Sequence, residues 1–184
     1  MKTPILPLLL VATLSACAEP PKRGAAMPAP VATPVASVPI FNPRPGLLTA
    51  GQPAATDWAP IAAQGVTTVI NLRPMDEMQG RDEAAEVRAA GMRYIEIPVA
   101  GGSAINDDNA RRLHEALQSA EGKVLLHCAS ANRAGGLLAL AAVRHEGMTE
   151  AAALELGRKA GMRSTEAAVR TALSPRCDAE SVRC

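Results

Sequence analysis

The chain has 184 residues, 48% of them hydrophobic and 20% charged, with 19 basic side chains against 18 acidic ones. That balance excludes a nucleic-acid binder and a polybasic membrane-surface protein, since both need a cationic face. With aromatics at 2% (Phe41, Trp58 and Tyr94), base-stacking grooves and aromatic carbohydrate platforms are excluded as well. The length suits one domain with extensions, and about one residue in five is alanine, so the core elements must approach closely.

At the N-terminus, Lys2 precedes an apolar run from Ile5 to Leu14, too short for a permanent membrane span. Small residues follow and end in Leu14-Ser15-Ala16-Cys17. The segment resembles a bacterial lipoprotein signal with its lipobox; an ordinary secretory signal with a chance cysteine is the alternative. The resemblance implies removal of residues 1–16, acylation of Cys17 and a membrane partnership through the lipid, each buried CH₂ contributing about 0.8 kcal/mol. Ala18 after the cysteine then implies the periplasmic face of the outer membrane. Residues 17–45 hold eight of the 15 prolines among Ala, Val and Thr with little charge, which predicts a semi-extended tether.

The globular domain is expected over 46–176. Val66–Leu72 is a β-branched apolar run between Gly65 and Pro74 and predicts a buried strand. Residues 82–90 have helical composition and stop at Gly91, a C-cap signal. Arg93–Val99 predicts a second strand. Asn106 can cap a helix over 107–120 with Asp107 and Asp108 in its first turn, its inner face being Ala110, Leu113, Leu117 and Ala120. Lys123–Cys128 predicts a third strand, followed by helices over about 134–144, 150–160 and 165–173. Strands alternating with helices in this way imply an α/β domain whose mostly parallel sheet is flanked by helices.

Chemistry in open α/β sheets sits just beyond the carboxyl ends of the strands, which is where Cys128 falls. The loop reads His127-Cys128-Ala129-Ser130-Ala131-Asn132-Arg133-Ala134-Gly135-Gly136. Small residues leading into a helix aim successive backbone N–H groups at one spot and form an anion nest. Those amides, the helix dipole and Arg133 would hold Cys128 as a thiolate. A guanidinium grips two phosphate oxygens at once. Taken alone, Cys128 reads first as a small buried hydrophobe at a strand end.

The Cys-to-Arg loop resembles the protein-tyrosine and dual-specificity cysteine phosphatases. More closely, Thr49–Pro53, Val69–Arg73, Glu96–Val99 and His127–Arg133 resemble the bacterial beta-lactamase-hydrolase-like phosphatase domain, over about residues 47–173. The resemblance implies a cysteine-phosphatase-like fold and a phosphomonoester substrate, carried on a protein or a small molecule. Cys128 would be the nucleophile. Arg133 with the amides of Ala129, Ser130, Ala131 and Asn132 would bind the phosphoryl oxygens, and Ser130 could hydrogen-bond the thiolate. His127 would orient the loop, and no cofactor is implied.

Three departures stand against that pattern. The loop has four residues between Cys and Arg where five are usual, a spacing shared by the closer bacterial family. Ala131 replaces the usual loop glycine, and Ala134 replaces the hydroxyl residue after the arginine. Two rivals stay open: a rhodanese-like sulfurtransferase carrying a persulfide, and a catalytically silent anion-binding module. Arg73 either lines the same cleft or pairs with Asp76 or Glu77. For the general acid the candidates are Asp107 and Asp108, which also suit a helix first turn, and Asp76 and Glu77. The three histidines lack metal-ligand spacing, so no metal is expected. Cys177 and Cys184 in the polar tail, 177–184, could pair with each other in an oxidising compartment, stay unpaired or pair between molecules.

Overall fold

The computed structural model describes residues 36–174. Five strands, β1 (Ile40–Arg44), β2 (Leu47–Ala50), β3 (Val66–Asn71), β4 (Arg93–Glu96) and β5 (Lys123–His127), form one sheet in the order β1-β2-β5-β3-β4. Only the β1–β2 pair is antiparallel; β2–β5, β5–β3 and β3–β4 run parallel. The helices are α1 (Trp58–Ala63), α2 (Glu83–Ala89), α3 (Asp107–Gln118), α4 (Asn132–Glu146), α5 (Glu150–Lys159) and α6 (Glu166–Leu173).

The alternation of β5 divides the core. Val124, Leu126 and Cys128 face the cluster built with α3, α4 and α5, whereas Leu125 packs into a smaller cluster with Trp58, Ile61 and Val87 from α1 and α2. Strands covered on both faces read as continuous apolar runs, which is why Val66–Leu72 and Lys123–Cys128 stood out in the sequence. Helix α4 is buried from Ala134 to Ala142 and packs closely on α5. Its small residues make that approach possible: a Cβ at Gly135 would lie 2.5 Å from the Gly157 carbonyl oxygen.

Asn106 caps α3 as its sequence predicts, accepting from the Asn109 N–H at 3.0 Å. Ala110 and Leu113 form the inner face with Ala116, while Leu117 and Ala120 are only partly buried. β4 ends at Glu96, earlier than expected, because Pro98 has no N–H to donate. The extended chain nonetheless continues the pairing, with Ile97 N–H on the Asn71 carbonyl and Val99 N–H on the Leu72 carbonyl, both at 2.9 Å.

The expected tether boundary at residue 45 is corrected, since β1 occupies Ile40–Arg44 and Ser37 already donates to Asp57 through its N–H at 2.9 Å. Pro43 made this segment look like linker. It is tolerated because β1 is an edge strand whose register shifts between Phe41 and Arg44. α1 has no counterpart among the elements expected from sequence, its six residues being too few for a periodic signal. The expectations for residues 1–16, Cys17, Cys177 and Cys184 lie outside the described residues.

Candidate active site

The loop after β5 carries Cys128 into α4. Cys128 is fully buried, its N–H donating to the Ala50 carbonyl at 3.4 Å. Gly51 bridges to Ser130, and the Gln52 N–H donates to the Ala129 carbonyl at 3.2 Å, so the end of β2 forms one wall of the loop. Ala131, at the N-cap of α4, adopts φ +66°, the left-handed conformation that glycine supplies most easily. The loop therefore needs positive φ at this position, and alanine meets that need at a cost of roughly 1–2 kcal/mol.

Asn132 opens α4 and ties it to a second wall. Its Oδ1 accepts from the Arg163 N–H at 2.7 Å and the Thr165 N–H at 3.3 Å, and its Nδ2 donates to Ser164 Oγ at 2.8 Å. The sequence expectation gave Asn132 only a backbone role; its side chain holds the segment 163–165. Ala129 and Ser130 are exposed at the mouth of the loop. The N–H groups of Asn132, Arg133 and Ala134 begin α4 and have no acceptor within the helix, whereas the Gly135 N–H already bonds the Ala131 carbonyl at 2.9 Å.

Arg133 is clamped from two sides. Glu77 accepts from its Nη1 at 2.7 Å and its Nη2 at 2.6 Å, and the Val99 carbonyl accepts from Nη1 at 2.7 Å. The Glu77 hydrogen bonds raise the guanidinium pKa despite burial, and the neighbouring Cys128 adds to the effect. In return, the Arg133 hydrogen bonds lead the causes that hold the Glu77 carboxyl below its ordinary value, with Arg73 contributing. Glu77 is thus a carboxylate near neutral pH that orients the arginine. Arg73 pairs with Glu77 at 3.3 Å and donates to Gln52.

Under the loop, on the α1/α2 face of the sheet, lies a buried polar group that sequence reasoning missed except for His127. Glu83, in the first turn of α2, has a side chain 1% exposed, and its Oε1 sits 3.0 Å from His127 Nε2. That contact is off the direction of a hydrogen bond, and His127 Nδ1 has no hydrogen-bond partner among the described residues. Tyr94 Oη donates to Glu83 Oε1 at 3.2 Å, Asn71 Nδ2 donates to Tyr94 Oη at 2.8 Å, and Gln52 Nε2 donates to Glu83 Oε2. Burial pushes the Glu83 carboxyl up, but His127, Gln52 and Arg81 outweigh it and leave the value lowered. Burial likewise pushes the Tyr94 phenol well up, keeping it a neutral donor. No local signal marks Glu83 in the sequence, because an acidic residue after the Asp82 cap is ordinary in a helix first turn.

The structure does not bring Asp107 or Asp108 to this cluster. Asp107 pairs with Arg144 at 2.9 Å and Asp108 with Arg111 at 2.5 Å, all four side chains being well exposed. Arg144 lies eleven residues beyond Arg133 on α4, about 16 Å along the axis. Asp76 is exposed on the same turn as Glu77 and has no hydrogen bond or ion pair among the described residues. The loop that passes Arg133, residues 99–106, carries no carboxylate at all. Among the described residues no three His, Cys, Asp or Glu side chains are grouped to hold a metal ion.

Comparison with known proteins places this site in context. A Beta-lactamase hydrolase-like protein from Xylella fastidiosa (strain Temecula1) is 39% identical over 101 residues, covering 53% of this chain but only 23% of that protein. The chain thus matches less than a quarter of the relative's length. The crystal structure of TpbA from P. aeruginosa superposes with a TM-score of 0.59 at 27% identity, over 73% of this chain and 85% of that one. A second TpbA crystal structure, a cysteine-to-serine form in complex with pTyr, has a TM-score of 0.56 at 23% identity over 73% and 86% of the two chains. Residues 44–145, more than half of the sequence, match the family model described as Beta-lactamase hydrolase-like protein, phosphatase-like domain, and the chain belongs to that family.

Proposed function

We propose that this domain is a cysteine-dependent phosphatase of the protein-tyrosine/dual-specificity type, acting on a phosphomonoester through a phosphocysteine intermediate. The observation that carries this reading is Arg133, clamped by Glu77 and the Val99 carbonyl in the first turn of the helix that follows the buried Cys128. A guanidinium fixed in this way has its remaining donors committed to whatever oxyanion sits on the sulfur. The Cys128 thiolate attacks phosphorus, the P–O bond to the leaving group breaks, and that oxygen takes the electron pair and a proton. Water then attacks the phosphocysteine, the P–S bond breaks, and inorganic phosphate leaves with the thiolate restored.

Glu77 is held as a carboxylate on Arg133 and is unsuited to donate the proton. Asp76, exposed beside it, is the carboxyl whose placement best supports that role. The left-handed Ala131 supports a loop that closes on its ligand rather than a relic held open by alanine. Phosphotyrosine bound by TpbA supports an aryl phosphomonoester, and Met75, the one exposed large hydrophobic residue among those described, lies on the same turn as Asp76 and Glu77. The Leu14–Cys17 pattern supports an exported protein, lipid-anchored at the periplasmic face of the outer membrane. Loss of membrane association in Cys17→Ser tests that part.

The deciding experiment is turnover of a generic aryl phosphate beside the Cys128→Ser variant, with thiosulfate-to-cyanide sulfur transfer in parallel. Phosphate release abolished in the variant is expected. Thiocyanate formation without phosphate release would instead make the domain a sulfurtransferase. Silence in both assays from folded, reduced protein would make it an anion-binding module.

A further inference from the structure

Two stretches singled out in the sequence, Thr49–Pro53 and Val69–Arg73, are not used by the chemistry above. In the structure they meet. Gln52 Nε2 donates to the buried Glu83 carboxylate, while Gln52 Oε1 accepts from Arg73 Nη1. Arg73 goes on to donate through Nη2 to the Glu77 carbonyl and through Nε to Glu77 Oε2 at 3.3 Å. Glu77 then grips Arg133. The contacts form one unbroken chain, from Glu83 to Gln52, Arg73, Glu77 and Arg133. It starts on the α1/α2 side of the sheet and ends at the cysteine loop on the other.

Every link has a fixed donor and acceptor sense. Carboxylates accept only and guanidiniums donate only, so the side chain between Glu83 and Arg73 must donate at one end and accept at the other, as an amide does through its two separate heads. Gln52 is that side chain, and a carboxylate or an ammonium in its place would leave one neighbour facing a like charge or an absent partner. The far end of the chain is held at several points. Glu83 is also fixed by Tyr94 and His127, and Arg81 lies 3.9 Å away. Gln52 is anchored by its own N–H on the Ala129 carbonyl, one residue from Cys128, so one residue touches the cysteine loop, the buried carboxylate and the arginine chain.

We propose that Gln52 is a positioning residue for Arg133, its side-chain amide transmitting the orientation fixed at Glu83 through Arg73 and Glu77. The proposal rests on the reading of Arg133 as the oxyanion-binding group beside Cys128. Catalytic geometry tolerates little displacement, so an arginine left free to swing loses much of its value even with its charge intact.

The test uses the reduced full-length chain and two alkylating reagents, anionic iodoacetate and neutral iodoacetamide, with Cys128 modification read by peptide mass spectrometry. Arg133 attracts the carboxylate of iodoacetate to the sulfur and does nothing for iodoacetamide, so the ratio of the two rates reports where Arg133 points. Gln52→Met, which keeps length and removes both hydrogen-bonding groups, is expected to lower the ratio about tenfold, the scale of one charge-assisted contact. Glu77→Gln should lower it by as much, and combining the two should lower it no further. Gln52→Ala, read in the same way, serves should Gln52→Met fail to fold.

A general loosening of the fold would speed both reagents alike and leave the ratio intact. A ratio within about twofold of the parent, or effects of Gln52→Met and Glu77→Gln that multiply, would overturn the proposal. The readout needs no turnover, so a parent protein inert toward aryl phosphates would sink the phosphatase reading and leave this one decidable.

Discussion

The methyl group of Ala131 occupies the space that a side chain at Gly161 would need: a Cβ placed on Gly161 would lie 2.7 Å from it and 3.2 Å from the Phe41 ring. Both residues hold positive φ, +66° at Ala131 and +93° at Gly161. Alanine in the cysteine loop is thus matched by glycine in the facing turn. Gly161→Ala is expected to destabilise the domain by roughly 2–4 kcal/mol through strain plus overlap, measured by urea unfolding. Ala131→Gly should stay within about 1 kcal/mol of the parent, because strain relief is offset by glycine's entropy and a lost buried methyl. The double variant should recover part of the Gly161→Ala loss, which additive single effects would contradict.

Replacing the clamp tests the arginine directly. Glu77→Gln keeps the shape but removes the charge that orients Arg133, and kcat/KM on an aryl phosphate is expected to fall roughly 10²-fold, as for the loss of one preorganised electrostatic contact. Its side chain is about one-third exposed, so losing the ion pair should lower the melting temperature only slightly. A variant retaining full activity would remove Glu77 from the site.

Carboxylates at two places should separate by role. Asp107→Asn and Asp108→Asn are expected to leave kcat within about twofold, because both side chains sit in exposed pairs away from Cys128. Asp76→Asn should lower kcat far more on an alkyl phosphate than on an aryl phosphate with a good leaving group, since only the former needs a strong proton donor. Equal losses on both substrates would assign Asp76 another role.

The pH dependence of stability follows from depressed carboxyls. Glu77 is held below its ordinary value by Arg133, and Glu86 by Arg81, so each is a carboxylate in the fold at a pH where the unfolded chain would protonate it. Such groups stabilise fully above the unfolded value of about 4.3, and the contribution is lost as pH falls through the lower folded value. Urea midpoints should therefore hold from pH 7 to about 4.5 and decline below it, with a shallower decline in Glu77→Gln. An unchanged slope in that variant would contradict the depressed value.

Burial of a charge makes Glu83 the most demanding position. Glu83→Ala leaves His127 and the Tyr94 hydroxyl without their partner in a closed site, and a loss of about 3–5 kcal/mol is expected from denaturant titration. A loss below about 1 kcal/mol would mean that water replaces the carboxylate.

What the sequence determined by itself was local. Apolar runs at Val66–Leu72 and Lys123–Cys128, the Asn106 cap and the buried face of α4 fixed the strand–helix alternation, because each is a property of neighbouring residues. The small-residue loop from Cys128 to Arg133 was equally legible, since the nest and the arginine lie within six residues. Tertiary structure alone decided the rest. Pro43 reads as linker until β2 gives β1 an edge to pair with, and Asp107 reads as a candidate acid until Arg144 takes it. Glu77 meets Arg133 across 56 positions, and Gln52 meets Glu83 across 31. Such pairs have no periodic trace in the chain. They exist because the sheet order carries β2, β3 and β5 to the same edge, where charges taken out of water must find partners.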